Sequence, residues 1–178
     1  MIRYNPNKNY PQIDNTTYTD PTAVIIGKVK IGGNVYVGPG AVIRADEPGS
    51  SIIVGNNCNI QDKVVIHALE RTSVEIDKNT SLAHGCIVHG PCRIGRSCFI
   101  EFGSVVFASK LAEGVMVKHL AVIEGVNIPA RRLVLSGSII NTPDKVKHLE
   151  VVSKRLREFC QGVIKTNLKL TKGYLENG

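Results

Sequence analysis

The chain has 178 residues, a formal net charge of +7 and 43% hydrophobic residues, which suits one domain with a substantial core. It contains no run of 18 apolar residues and no charged-then-apolar leader, so we expect neither a membrane span nor a signal peptide and a cytoplasmic location. Residues 144–178 hold eight Lys/Arg and four Asp/Glu, with few aromatic residues between them. This pattern favours a solvated helix face over a nucleic-acid interface.

Three segments are predicted in chain order. Residues 1–20 are rich in Asn, Pro and Tyr and are expected to form an extended arm. Residues 21–141 carry aliphatic residues every six positions, the pattern of a parallel β-solenoid. The longest run of this period is Ile76, Leu82, Val88, Ile94, Ile100 and Val106. Helical spacings of three and four residues are not sustained here, so an all-β fold is predicted.

Residues 142–178 form the third segment, a C-terminal helix and tail. Thr142 is suited to cap a helix, and Pro143 is tolerated in its first turn. An apolar stripe then predicts a helix of about 20 residues laid along the outside of the solenoid. The stripe consists of Val146, Leu149, Val152, Leu156, Phe159 and Val163. Whether residues 165–170 continue this helix is left open.

The cysteines are interpreted as packing residues. Four of them occupy the same small, inward position of the repeat, and stacked core thiols explain them more simply than a disulfide or a metal site. These four are Cys58, Cys86, Cys92 and Cys98. Cys160 falls on the predicted helix and is also assigned to packing.

Three repeats make one coil, which defines three faces of the solenoid. Face X contains Ile43 and Ile66, face Y contains Val54, and face Z contains Ile60. The surplus residues around Glu47-Pro48-Gly49 and Glu70-Arg71 both fall at the X–Y corner, so two loops are expected to stack there.

This register places chemically active side chains in two outward columns. Arg44, His67 and His89 each follow an aliphatic residue of face X, while Asp62 and His84 each lie two residues after one of face Z. Adjacent coils are about 4.8 Å apart, so two stacked imidazoles can share a zinc ion. Gln61 and Asn59 flank the second column. His119 and His148 are left unassigned.

The two columns lie on different faces, so one chain does not readily complete a three-histidine site. If three prisms pack with face X of one against face Z of the next, every interface gains a site and an Arg44–Asp62 pair. A closed threefold ring has such contacts, which predicts a homotrimer. Three imidazoles suit Zn²⁺, although Fe²⁺ or Co²⁺ would also fit this donor set.

The chain resembles the γ-class carbonic anhydrases between Tyr10 and Glu176, most clearly in six stretches. They are DPTAVIIGKVKIG, AVIRADE, NIQDKVVIHALE, SLAHGCIVHGP, VNIPARRLVLSG and TNLKLTKGYLE. The resemblance implies a trimeric left-handed parallel β-helix of hexapeptide repeats that hydrates CO2 to bicarbonate and a proton, using hydroxide on an interfacial metal.

The resemblance also implies a role for each matching residue. The metal ligands would be His67, His84 and His89. Gln61 and Asn59 would lie near the bound water and CO2, and Glu47 and Glu70 would transfer protons. The interface and pocket would include Arg44, Asp46, Asp62 and Asn167.

Two departures from this family and two alternative functions accompany the prediction. The loop after Glu70 is short, which bears on the speed of proton export, and Lys165 stands where the family usually has tyrosine. The N-terminal domain of a carboxysome scaffold protein is also similar, so a catalytically silent scaffold is one alternative. A hexapeptide acyltransferase with one histidine as general base is another, but it would leave the paired columns unexplained.

Overall fold

Three parallel sheets run the length of the chain and wind as a left-handed β-helix of hexapeptide repeats, as predicted. The computed structural model describes residues 1–177. The strands of sheet X are Ile2–Arg3, Val24–Gly27, Val42–Ala45, Val65–His67, Ile87–His89, Val105–Phe107, Val122–Glu124 and Ile139–Ile140.

The other two sheets complete seven coils. The strands of sheet Y are Gln12–Ile13, Val29–Ile31, Ser51–Val54, Ser73–Ile76, Cys92–Ile94, Lys110–Leu111 and Asn127–Ile128. Those of sheet Z are Tyr18–Thr19, Tyr36–Val37, Asn59–Ile60, Ser81–Leu82, Phe99–Ile100, Met116–Val117, Arg132–Val134 and, antiparallel at its edge, Glu150–Val151.

Inward aliphatic residues stack from coil to coil and form the core. Ile43 pairs in register with Ile66, and Ile66 with Val88, and all three side chains are fully buried. The inward cysteines Cys58, Cys86, Cys92 and Cys98 are buried free thiols, which confirms the packing interpretation. Burial raises the pKa of Cys58, Cys86 and Cys98 to about 12, so these thiols stay protonated at neutral pH.

The corner between sheets Y and Z is built from residues in the left-handed backbone region. Asn34, Asn57 and Asn79 have φ values of 55°, 57° and 58°, a conformation that asparagine tolerates better than most residues. Their amides also bond along the stack: Asn34 Nδ2 donates to Asn57 Oδ1 at 3.3 Å, and Asn57 Nδ2 to Asn79 Oδ1 at 3.2 Å. This ladder precedes three consecutive strands of sheet Z, Tyr36–Val37, Asn59–Ile60 and Ser81–Leu82.

The prediction of an extended arm over residues 1–20 is wrong, because these residues form the first coil. Strands Ile2–Arg3, Gln12–Ile13 and Tyr18–Thr19 pair in parallel with the next coil. Residues 4–11 make a third loop at the X–Y corner, where Asn5 Nδ2 donates to the carbonyl of Ala45 at 3.1 Å. Thr19 holds the inward position that is aliphatic in the other coils, which hid the repeat.

The single helix predicted from residue 143 is also wrong, because the segment breaks. Helix α1 spans only Pro143–Lys147, capped by Thr142 as expected, and helix α2 spans Lys154–Asn177. Between them Glu150–Val151 pairs with Arg132–Leu133 and closes the last edge of sheet Z. Helix α2 therefore continues through residues 165–170, the part that sequence left open.

The outward surfaces of the three sheets differ in chemistry. Sheet X exposes or half-buries a ladder of β-branched aliphatic residues: Val24, Val42, Val65, Ile87, Val105, Val122 and Ile139. Sheet Y presents a mainly polar ladder: Lys30, Ile53, Glu75, Arg93, Lys110 and Asn127. Sheet Z is covered by α2, through a cluster of Phe99, Met116, Leu133, Val152, Leu156, Cys160 and Val163. Among the described residues, sheet X alone presents a surface that is both apolar and uncovered.

Within residues 1–177, neither helix has the length and apolar character that a bilayer crossing requires.

Candidate metal centre

His67 and His89 face each other on adjacent strands of sheet X. They are partners in the strand register, and Arg44 is the partner of His67 on the preceding coil, as predicted. Nδ1 of His67 lies 2.9 Å from Nε2 of His89, and the rings meet edge to face at 4.8 Å between centroids. Nδ1 of His89 is buried and has no hydrogen-bond partner among the described residues. An imidazole nitrogen without a partner is available to a cation.

Nε2 of His67 is surrounded by charged groups from the X–Y corner. Arg44 Nη2 lies 3.2 Å from it, Glu47 Oε1 3.3 Å and Asp46 Oδ1 3.6 Å. Burial lowers the pKa of His67, and the charge of Arg44 adds to this effect, while Glu47 and Asp46 oppose it. The neutral form of His67 is therefore favoured, and this is the form that binds a metal.

The stacked loops at the X–Y corner place carboxylates between the histidines and solvent. Both insertions lie at this corner, between Ala45 and Ser51 and between His67 and Ser73. Oε2 of Glu47 accepts a hydrogen bond from the backbone N–H of Glu70 at 2.6 Å. The Glu70 side chain is more than half exposed and lies 3.5 Å from Arg71 Nε. The carboxylate of Glu47 thus lies beside His67, and the carboxylate of the neighbouring Glu70 is in contact with water.

His84 lies at the Z–X corner, away from the other two histidines. Its Nδ1 is 3.3 Å from Oδ2 of Asp62, and its ring stacks on Phe102 at 5.4 Å. A carboxylate at Nδ1 leaves Nε2 free to bind a metal. Among residues 1–177, no three His, Cys, Asp or Glu side chains are close enough to hold a metal ion together. One chain therefore brings together His67 and His89 but not His84.

The column of His84 continues with residues that the sequence analysis did not assign. Phe102 also stacks on His119 at 4.8 Å, and Nδ1 of His119 lies 2.9 Å from the buried carboxylate of Glu101. Glu101 also pairs with Lys118 at 2.8 Å. The six-residue period could have identified both residues. Phe102 and His119 each lie two positions after an aliphatic residue of face Z, as Asp62 and His84 do.

Three further predicted residues lie on or near sheet Z. Asn59 is buried, its Nδ2 donates to Ser81 Oγ at 2.7 Å, and its Oδ1 has no partner among the described residues. Gln61 follows the same strand and is partly exposed. Asn167 is buried on α2 and donates from Nδ2 to the Val163 carbonyl at 2.9 Å. None of these contacts joins His67 or His89, so a role for these residues at the metal centre stays a prediction.

The donor set fits a divalent transition metal. His67 favours the neutral form, a buried imidazole nitrogen of His89 has no partner, and Asp62 is placed to orient His84. Imidazole donors suit zinc, iron and cobalt alike.

A parallel β-helix of six-residue repeats, with histidines at paired positions on one sheet, defines a hexapeptide-repeat protein with a candidate metal site. Residues 10–45 match the family described as bacterial transferase hexapeptide (six repeats). The chain is 36% identical to a carbonic anhydrase of Methanosarcina thermophila, over 97% of this chain and 78% of that protein. The chain belongs to the γ-class carbonic anhydrase family.

The chain is also similar to a carboxysome assembly protein and to a solved structure of a hexapeptide transferase family protein. The carboxysome assembly protein CcmM of Nostoc sp. is 40% identical over 92% of the chain, but the match spans only 31% of that longer protein. A hexapeptide transferase family protein from Anaplasma phagocytophilum has a solved structure with a TM-score of 0.83, 26% identity and 97% coverage of both chains. Proteins similar to this chain thus have names that indicate different functions.

Proposed function

We propose that this protein catalyses the metal-dependent, reversible hydration of CO2 to bicarbonate and a proton, at the interfaces of a homotrimer. The observation that carries the proposal is the pairing of His67 with His89 on sheet X, 2.9 Å apart, next to carboxylates that lead to solvent. The 36% identity to a carbonic anhydrase supports the same reaction.

The chemistry of the three faces supports the trimer. Sheet X presents an uncovered aliphatic ladder, whereas sheet Y is mainly polar and sheet Z is covered by α2. An apolar sheet surface is stabilised by burial against a partner. The predicted contact of face X with face Z has to move to the Z–X corner, because α2 covers sheet Z. If sheet X packs against the Z–X corner of a second copy, His84 of that copy approaches His67 and His89. A closed ring of three copies repeats this contact three times.

The same packing gives the charged residues new partners. In the single chain Arg44 lies 3.4 Å from Asp46, and Asp62 lies 3.3 Å from His84. In the proposed ring Arg44 of one copy would face Asp62 of the next, one coil below the histidines. Asp62 would then hold His84 and Arg44 together, so that the interface and the metal centre form as one unit.

A metal held by His67, His84 and His89 is expected to be Zn²⁺, with Fe²⁺ or Co²⁺ as chemically equivalent choices. When bound, such a metal lowers the pKa of water from 15.7 to about 7, which provides a nucleophile at neutral pH. The neutral form of His67, favoured by its burial and by Arg44, keeps the site ready for this role.

The other residues of the proposed site orient reactants and move the proton. Gln61 and Asn59 carry amides that can donate to a bound oxygen or accept from it. Glu47 contacts His67 and can take up the proton from the site, and its bond to the backbone N–H of Glu70 holds the two residues together. The proton would then pass from the Glu47 carboxylate to the exposed Glu70 carboxylate, and from Glu70 to buffer. Asn167 and Asp46 complete the expected pocket.

A catalytically silent scaffold is the second candidate, favoured by the 40% identity to a carboxysome assembly protein. The two candidates differ in what they need. A scaffold requires the surfaces of the trimer but has no use for the carboxylate path of Glu47 and Glu70.

Metal analysis combined with a CO2 hydration assay tests the proposal. Protein purified without oxygen should contain about one metal ion per chain and hydrate CO2. His89→Ala should lose both metal and activity, while His148→Ala, an exposed histidine beyond the solenoid, should keep both. Metal-free and inactive wild-type protein that also fails to bind added Zn²⁺, Fe²⁺ or Co²⁺ would contradict the enzyme proposal and favour the scaffold.

A further inference from the structure

A groove of about 830 Å³ lies between α2 and the Y–Z corner of the solenoid, and the proposed function does not use it. One wall is the corner column of Asn79, Ser97, Gly114 and Arg131, and the other is α2. Apolar side chains, including Met116, Val152 and Ile164, also line it. The proposed trimer contact uses sheet X and the Z–X corner, so this groove would stay open in the trimer.

Four cationic side chains line the groove, and we name it the basic groove after them: Arg131, Arg132, Arg157 and Lys165. Within residues 1–177, none of the four forms a salt bridge. The lining carboxylate, Glu113, already accepts two hydrogen bonds from Arg96, at 2.9 and 2.6 Å. The basic groove therefore holds uncompensated positive charge.

Two of the arginines are held in place by the chain itself. Arg132 Nη1 donates to the carbonyl of Leu149 at 3.3 Å, and Arg157 Nη1 donates to that of Val152 at 2.6 Å. Both carbonyls belong to the segment that joins α1 to α2. These bonds engage one nitrogen of each guanidinium and leave its other N–H groups for a ligand. The donors are thus fixed before any ligand arrives.

The thiol that lines the basic groove is unsuited to covalent chemistry, so the groove is suited to reversible binding. Its thiol, Cys160, lies 4.0 Å from Met116 Sδ. Burial raises the pKa of Cys160 to about 11, so the thiol is protonated and a weak nucleophile at neutral pH. Lys165, which stands where related sequences usually have tyrosine, also lines the basic groove.

We propose that the basic groove binds a phosphorylated organic molecule. Guanidinium groups match phosphate oxygens in shape and charge, and the ammonium of Lys165 adds a further donor. The apolar lining beside these donors would contact a non-polar or planar part of the same ligand. A free inorganic anion would use only the cationic half of the groove.

Calorimetric titration of the full-length protein with three probes tests this proposal. AMP carries a phosphate and a planar base, inorganic phosphate lacks the base, and adenosine lacks the phosphate. We expect one AMP per chain, with an affinity at least about tenfold higher than that of either smaller probe. Equal affinity for AMP and inorganic phosphate would overturn the assignment of an organic ligand, and equal affinity for AMP and adenosine would overturn that of an anion.

Matched double variants locate the binding. Arg131→Gln combined with Lys165→Gln removes two exposed cations of the groove and should weaken AMP binding about tenfold or more. Arg155→Gln combined with Lys169→Gln removes the same charge from exposed positions of α2 outside the groove and should leave the affinity unchanged. An equal loss in both variants would mean attraction by net charge alone, and no AMP binding by the wild-type protein would overturn the site itself.

Discussion

The histidines of the candidate metal centre are held in two different ways. His67 and His89 are fixed by the backbone pairing of their strands, which sets their rings 4.8 Å apart. His84 follows its strand, and its half-exposed side chain is positioned by Asp62 and Phe102. The affinity for metal should therefore be most sensitive to the partners of His84.

Phe102→Ala is expected to weaken zinc binding about tenfold, because loss of the stacked ring allows His84 more orientations. Competition with a chromophoric chelator measures this affinity, and sedimentation checks that assembly is unchanged. Phe159→Ala, which removes an exposed aromatic ring from α2, is the control and should have no effect on zinc affinity. If Phe102→Ala binds zinc as tightly as wild type, Phe102 does not position His84.

Glu70→Ala should lower kcat more than kcat/KM, because proton release slows while CO2 conversion is unaffected. Imidazole buffer should restore part of the turnover by accepting the proton instead. Glu75→Ala, which removes a carboxylate from sheet Y, should behave like wild type. Equal losses in both parameters without a response to buffer would assign Glu70 to binding or structure.

The sequence predicted which residues of the candidate site share a column, but it did not predict which side chains contact them. A period of six sets which side chains share a column, so the alignment of Arg44, His67 and His89 followed from counting. The contact of Asp62 with His84 and the stacking of Phe102 depend on side-chain rotamers, which a period does not define. His84 and His67 meet only if a second chain contributes, so their geometry depends on assembly.

Among the structural elements, the C-terminal segment adopts a structure that tertiary contacts determine and that its sequence pattern does not predict. Val146, Leu149 and Val152 have helical spacing, yet Glu150–Val151 forms a strand. Pairing with Arg132–Leu133 satisfies the exposed edge of sheet Z, which favours a strand over a continuous helix. The first coil was missed because Thr19 replaces an aliphatic residue.

Helix α2 should detach from the solenoid before the solenoid unfolds. Met116 is fully buried in the cluster that joins them, and Met116→Ala should destabilise this contact by about 2–5 kcal/mol. Hydrogen exchange should accelerate in α2 and stay slow in the strands of sheet X. Leu175→Ala, near the exposed end of α2, is the control. Equal acceleration throughout the chain would show that helix and solenoid unfold together.

For the whole molecule, the contrast between sheets X and Y predicts how copies assemble. Val122→Lys places a charge on the aliphatic ladder of sheet X and should dissociate the trimer, because burying an unpaired charge is costly. Ile53→Lys makes a comparable change at an exposed position on sheet Y and should leave the trimer intact. Sedimentation at low protein concentration compares the two. A trimer that tolerates Val122→Lys but not Ile53→Lys would mean that sheet Y forms the interface.

The central claim, that each metal centre takes His67 and His89 from one chain and His84 from its neighbour, is tested most directly by mixing variants. His84→Ala and His67→Ala trimers should each lack a complete site. After co-refolding, every mixed trimer should contain one junction with all three histidines, so up to about a third of its sites should regain zinc and activity. Mixing His67→Ala with His89→Ala should restore nothing, because both changes damage sheet X. Recovery in the second mixture, or none in the first, would contradict the shared site.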